Sequence, residues 1–177
     1  MTQLHLLSGG AAYGLVSQLE ARFLVDTGCT LVGSFNAVGA MRDQLLAGVA
    51  CDVLILTAAL IAQLEAGGHV VAGSARRLGS VKMGIAVKAT AGIHFMNVMK
   101  QLGIDAELAS RLRPFPNGAS AMGEMARSGE PGVIGCTQVT EILQTPGVVL
   151  VAPFPPAFEL ATVYSAAVSA SAGSPQP

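Results

Sequence analysis

The sequence predicts an α/β protein built on a mostly parallel sheet, and three observations carry that prediction. Short apolar runs alternate with segments of helical spacing along the 177 residues. The early runs are apolar on both faces, as strands are when helices cover both sides of a sheet. Most runs also end in a turn of small or hydroxyl-bearing residues that opens the next helix.

Taken in order, Leu4–Leu7 is the first strand, and Ser8-Gly9-Gly10 leads into a helix from Ala11 to about Asp26. Leu15, Leu19 and Phe23, with Val16 one turn along, share a face of that helix at spacings of three and four. Cys29–Ser34 is a strand, and Asn36-Ala37-Val38-Gly39 opens a helix that ends near Gly48. Val53–Leu56 is a fully apolar strand, Thr57 an N-cap, and Ala58–Ala66 a helix stopped by Gly67-Gly68. A polar link containing Arg76-Arg77 then breaks the rhythm. Val81–Val87 is a strand, Thr90 to about Leu102 a helix, and Asp105–Leu112 a short helical piece before Pro114. Gly118–Ser128 is a helix capped by Asn117, Gly132–Cys136 a strand, and Thr137–Gln144 a helix. Val148–Val151 is a strand closed by prolines, Ala161–Ser169 a longer one, and Ala170–Pro177 a tail of small residues. The expected division is a first lobe over 1–80, a second over 81–170 and a flexible tail over 171–177.

Composition removes several classes of function. Charged residues make up 12% and apolar residues 51%, the reverse of a disordered chain. Net charge is −1 and the ten Lys and Arg are scattered, so no basic stripe exists for a nucleic-acid backbone. Mean hydropathy is +0.56, yet no uninterrupted apolar run is long enough to span a bilayer. Cys29, Cys51 and Cys136 fit neither a disulfide framework nor a metal knuckle, and no metal or cofactor is expected. The N-terminus shows no basic segment followed by an apolar one, so the chain as written is expected in the cytoplasm. If a leader has been removed, the expected place is the periplasm.

Phosphate loops, zinc-protease helices, nucleophile elbows and paired carboxylates are all missing from the sequence. What recurs is the strand-to-helix turn: Ser8-Gly9-Gly10-Ala11, Phe35-Asn36-Ala37-Val38, Thr57-Ala58-Ala59, Thr90-Ala91-Gly92, Asn117-Gly118-Ala119-Ser120 and Cys136-Thr137-Gln138. Each places free backbone N–H groups and the positive end of a helix dipole at the carboxyl edge of a sheet, where ligands of open α/β sheets bind. Taken singly, each is an ordinary helix cap. Together they suit a dehydrated anion held by neutral donors.

Leu7-Ser8-Gly9-Gly10-Ala11-Ala12, Gly33–Ala40 and Ala50–Ala58 resemble the first lobe of molybdate-binding-type substrate-binding proteins of ABC transporters. Ala89–Phe95 and Ser128–Gln138 resemble the second lobe, in the same order, so the likeness covers nearly the whole chain. The resemblance implies a two-lobed, type II periplasmic-binding-protein fold that captures a small oxyanion or a small carboxylate between the lobes, working with an ABC transporter permease. By position it implies ligand contacts from Ser8, Gly9, Gly10, Asn36, Ala37, Thr57 and Ala58, answered by Thr90, Gly92, Thr137 and Tyr164. Asn36 stands where the family's second loop carries a hydroxyl. Between Val87 and Thr90, and again at the C-terminus, the family carries further elements, so the second lobe and the C-terminus are expected to be shortened. Loss of whole elements exposes apolar surface, through which copies of the chain are expected to associate.

Two other readings stay open. One is a cytoplasmic enzyme of isomerase or lyase type acting on a small organic acid. Cys136, before a helix start, would be its thiolate and His94 the acid/base partner. The plainer reading of Cys136 is a small apolar residue closing a buried strand. The other is a degenerate remnant that binds nothing.

Overall fold

The computed structural model describes residues 2–87, 93–130 and 132–173, without the side chains of residue 87 and residues 93–97. In chain order the first elements are β1 (Thr2–Gly9), α1 (Tyr13–Thr27), β2 (Cys29–Asn36), α2 (Val38–Leu46), β3 (Val53–Thr57) and α3 (Ala58–Ala66). They are followed by β4 (Arg76–Val87), α4 (Ile93–Leu102), α5 (Asp105–Leu108), α6 (Gly118–Arg127), β5 (Ile134–Gln138), α7 (Val139–Gln144), β6 (Val149–Pro153) and β7 (Ala161–Val168). Two compact units result, Met1–Ser80 with Thr162–Pro177, and Val81–Ala161.

In the first unit β1 lies between β2 and β3, parallel to both. β7 then pairs with β3 in the antiparallel sense, Val53 opposite Val168 through to Thr57 opposite Tyr164. This corrects the assignment of Thr162–Ser169 to the second lobe: the chain returns to the first unit. Residues 174–177 of the expected tail lie outside the described residues. The return is held by hydrogen bonds. Ser169 N–H donates to the Asp52 carbonyl at 2.9 Å, and Val168 N–H to Ser74 Oγ at 3.1 Å. The core beneath joins Leu7, Met41, Leu54, Leu56, Ile61 and Ala167, all buried.

In the second unit β4 pairs antiparallel with both β5 and β6. The sheet of the first unit is therefore mixed and the pairing around β4 antiparallel, and among the pairings of the described residues the parallel ones join β1, β2 and β3. Apolarity reports that a strand is covered and not which way its neighbour runs. Ala86 of β4 packs with Ala121, Met122 and Met125 of α6 and Ile142 of α7. Gly84 admits this packing, because a Cβ there would lie 2.8 Å from Leu150 and 2.9 Å from Val139.

The caps fall where expected. Thr57 Oγ1 accepts from the N–H of Leu60, and Asn117 Oδ1 from that of Ser120. Gly28, at φ 70°, ends α1 in the left-handed conformation that glycine tolerates. Three expectations change. β4 begins at Arg76, taking in the supposed polar link, and β5 runs through Thr137 to Gln138. The face of α1 read as a core face is open: Leu15 and Leu19 are 46% and 50% exposed, and Gly14 is the buried residue of that helix. No described element covers that face, and helical periodicity cannot tell a covered apolar stripe from a bare one.

Candidate functional site

The register of the first unit assembles one edge. Gly9 at the end of β1 lies opposite Asn36 at the end of β2, and Ser8 lies opposite Ile55 of β3. Thr57 at the end of β3 faces Tyr164 on β7. Ser8, Gly9, Asn36, Thr57 and Tyr164 thus share the carboxyl edge of the parallel strands, although β7 enters from much later in the chain.

Tyr164 explains why residue 9 is glycine. A Cβ on Gly9 would lie 2.8 Å from the tyrosine ring and 3.3 Å from its hydroxyl, and 2.8 Å from Val38. The ring lies over the turn, and only a bare backbone leaves it room. Ser8 is fully buried, and its hydroxyl donates to the Gly9 carbonyl at 3.0 Å.

The helix starts at this edge differ in what they leave open. At α3, Thr57 Oγ1 accepts one N–H as a cap. The 3-10 turn Gly10–Ala12 and α2 carry no side-chain cap bond. Their first N–H groups therefore donate no bond to the side chain at the cap position. The N–H of Ala37 donates to Asn36 Oδ1 at 2.8 Å in this structure. Gly10 and Ala58 stand at helix starts as expected.

In the second unit, Thr137 at the end of β5 is buried. Its hydroxyl donates to Glu141 Oε2 of α7. A Cβ on Gly118, the first residue of α6, would fall on this pair. Burial raises the Glu141 carboxyl above the usual range, against the lowering effect of its bonds to the Thr137 hydroxyl and the Gln138 backbone. Thr140, beside it on α7, has a buried hydroxyl with no partner among the described residues. Glu141 and Thr140 were not singled out from the sequence, and Gly118 was marked only as part of the Asn117-Gly118-Ala119-Ser120 turn. The available signal was charge: Glu141 is the one charged residue between Glu130 and Glu159. Thr90 and Gly92 lie outside the described residues, and so does the side chain of His94.

Cys136 does not have the environment of a thiolate nucleophile. It is 2% exposed, packed with Val98 and Phe154, and desolvation pushes its thiol up to about 12. Burial outweighs any helix dipole here, because a thiolate is costly wherever water is excluded. Cys51, in the core of the first unit, is likewise raised to about 11. Both thiols hold their protons more tightly folded than unfolded. Their contribution to stability is complete below pH 9 and is lost as pH rises from 9 towards 11–12. Urea unfolding at pH 8 and pH 10.5 is expected to show a loss on the order of 2 kcal/mol per thiol. The Cys136→Ala variant should lose correspondingly less over the same interval.

The sequence profile of the bacterial extracellular solute-binding protein family matches residues 4–94, just over half of the chain. The chain belongs to that family. No curated sequence matches this solute-binding protein closely. Among solved structures it is similar to the periplasmic molybdate-binding protein of Azotobacter vinelandii, at 16% identity and TM-score 0.76, covering 96% of this chain and 87% of that one. It is similar to the sulfate-binding protein of Mycobacterium tuberculosis H37Rv, at 16% identity and TM-score 0.70, covering 98% and 77%. It is also similar to the tungstate ABC transporter protein of Geobacter sulfurreducens, at 15% identity and TM-score 0.60, covering 94% and 84%. At these identities the likeness establishes the periplasmic-binding-protein fold. The family is extracellular, so the cytoplasmic expectation is not supported, and the enzyme reading is not favoured. Association of copies likewise finds no support. Among the described residues no helix is long and apolar enough to cross a membrane.

Proposed function

We propose that this solute-binding protein captures a small oxyanion of the molybdate type, or a small carboxylate, outside the cytoplasm, and passes it to an ABC transporter permease. One observation carries the reading. The pairing of β1, β2, β3 and β7 gathers Ser8, Gly9, Asn36, Thr57 and Tyr164 at one edge, beside two helix starts with no side-chain cap. Neutral donors of this kind replace the water of an anion without burying a counter-charge. Thr137 is the donor assigned to the second unit, and the resemblance adds Thr90 and Gly92. Support also comes from the structural relatives, whose names record molybdate, sulfate and tungstate.

A thermal-shift series with molybdate, tungstate, sulfate, phosphate and small carboxylates tests the reading. A ligand at a hundredfold over its Kd adds about 2.7 kcal/mol, a shift of several degrees for a chain of this size. Ser8→Ala is expected to weaken binding about tenfold, because the Ser8 hydroxyl that donates to the Gly9 carbonyl in this structure would turn to the bound anion, with unfolding still cooperative. A panel in which no anion moves the transition would remove the assignment, as would a Ser8→Ala variant that binds as tightly as the parent.

A further inference from the structure

A site made wholly of neutral donors favours an anion that carries no proton, because a ligand hydroxyl finds no acceptor there. The second unit is not made that way. The hydroxyl assigned to the ligand, on Thr137, donates to a carboxyl oxygen of Glu141, and the two groups meet against the first residue of α6. Any anion held by Thr137 must therefore share that hydroxyl with a carboxyl that is itself half-buried. An ionised carboxyl beside a bound anion places two like charges in one desolvated site, and one of them must be neutralised.

We propose that Glu141 makes capture proton-linked: the site takes its anion together with one proton, carried either by the ligand or by the Glu141 carboxyl. The proton comes from solvent, and no covalent bond is made or broken. A ligand that keeps a hydroxyl of its own, as hydrogen phosphate or a phosphonate does, donates to the carboxylate and is preferred at neutral and alkaline pH. A ligand that only accepts, such as sulfate or molybdate, binds with the carboxyl protonated and gains affinity as pH falls. This inference rests on the proposed function, since it assumes that Thr137 contacts the ligand.

The surroundings leave Glu141 as the group that titrates. On α7 it is the one ionisable residue, and β6 has none. On β5 the ionisable side chain is the Cys136 thiol, which stays protonated to about 12. On α6, Glu124 and Arg127 pair with each other at 3.1 Å. β4 packs on α7 at Gly84, and its nearby charge, Lys82, pairs with Glu159 at 2.7 Å. The carboxyl is already raised above its ordinary range by burial, so a proton is readily accepted. The buried, unpartnered hydroxyl of Thr140 adds a second polar group beside it that no described residue satisfies.

Calorimetric titration of the full chain with sodium sulfate and with sodium phosphate, from pH 5.5 to 8.5, tests this. Sulfate carries no proton in that range, and phosphate always carries at least one. The parent protein is expected to lose sulfate affinity as pH rises, by up to about tenfold per unit above the carboxyl's titration, and to favour phosphate by about tenfold or more at pH 8. Glu141→Gln keeps the size and the acceptor for Thr137 but cannot ionise. It should flatten the sulfate profile and bring the two affinities together. A parent sulfate profile that is already flat overturns the proposal without any variant, as does a Glu141→Gln protein with the parent's selectivity. In either case Ser8→Ala separates the two claims. If it still weakens both anions at every pH, the binding site stands and only the role of Glu141 falls. If the parent binds neither anion, the proposal for Glu141 falls, and the thermal-shift panel decides by itself whether the assigned site stands.

Discussion

Gly118→Ala is expected to destabilise the protein by roughly 1–3 kcal/mol, an effect of overpacking at one methyl group. The cause is space. The new Cβ would fall on Thr137 Oγ1 and Glu141 Oε2 together. The Glu141 carboxyl can swing aside, but the Thr137 hydroxyl sits one bond from its Cβ and moves only by changing rotamer. Either adjustment breaks the hydrogen bond between them and leaves a half-buried carboxyl short of a donor. Gly39→Ala is the matched control. Gly39 lies within α2, where nothing stands within 4 Å of an added Cβ. That substitution should be neutral, or stabilising by up to about 1 kcal/mol through helix propensity. Urea unfolding of the two variants checks the contrast. Equal effects would mean that residue 118 has more room than the geometry allows.

Leu54→Ala carries the largest expected loss, about 2–5 kcal/mol. Leu54 is 0% exposed on β3, paired with Leu7 of β1 and with Ala167 of β7. Removing its side chain leaves a cavity among Leu7, Met41, Leu56 and Ile61, on a strand held from both sides that cannot collapse inward. The same strand carries Thr57 opposite Tyr164, so loosening it should also cost anion affinity. A folded variant that melts within a degree of the parent would contradict the placement of β3 at the centre of the first unit.

How much of this was legible in the sequence depends on the distance along the chain over which each feature is decided. The helix Ala58–Ala66 and its Thr57 cap follow from a few consecutive residues, and so does the Asn117 cap. The alternation of strand and helix, and the placing of Ser8, Asn36 and Thr57 at turns, have the same local origin. Tyr164 was marked by resemblance alone, since nothing near it in the chain suggests a ligand or a glycine partner. The stripe of Leu15 and Leu19 was legible as a stripe but not as an exposed one.

What the sequence by itself determined is where strands and helices lie, which turns open helices, and which apolar residues can form a core. Backbone sterics, capping bonds and period-matched apolar positions act over a few residues, so a reader of the chain meets all their terms together. The tertiary structure decided which strand neighbours which. It returned β7 to the first unit, turned it antiparallel to β3, and set Tyr164 against Gly9. It also decided which donors are already engaged: the hydroxyl of Ser8 by the Gly9 carbonyl, the N–H of Ala37 by Asn36, and the hydroxyl of Thr137 by Glu141. The same desolvation that buries Cys136 turned a candidate nucleophile into a core thiol. These outcomes depend on pairing between distant segments and on the exclusion of water, quantities that exist only once the chain has closed on itself.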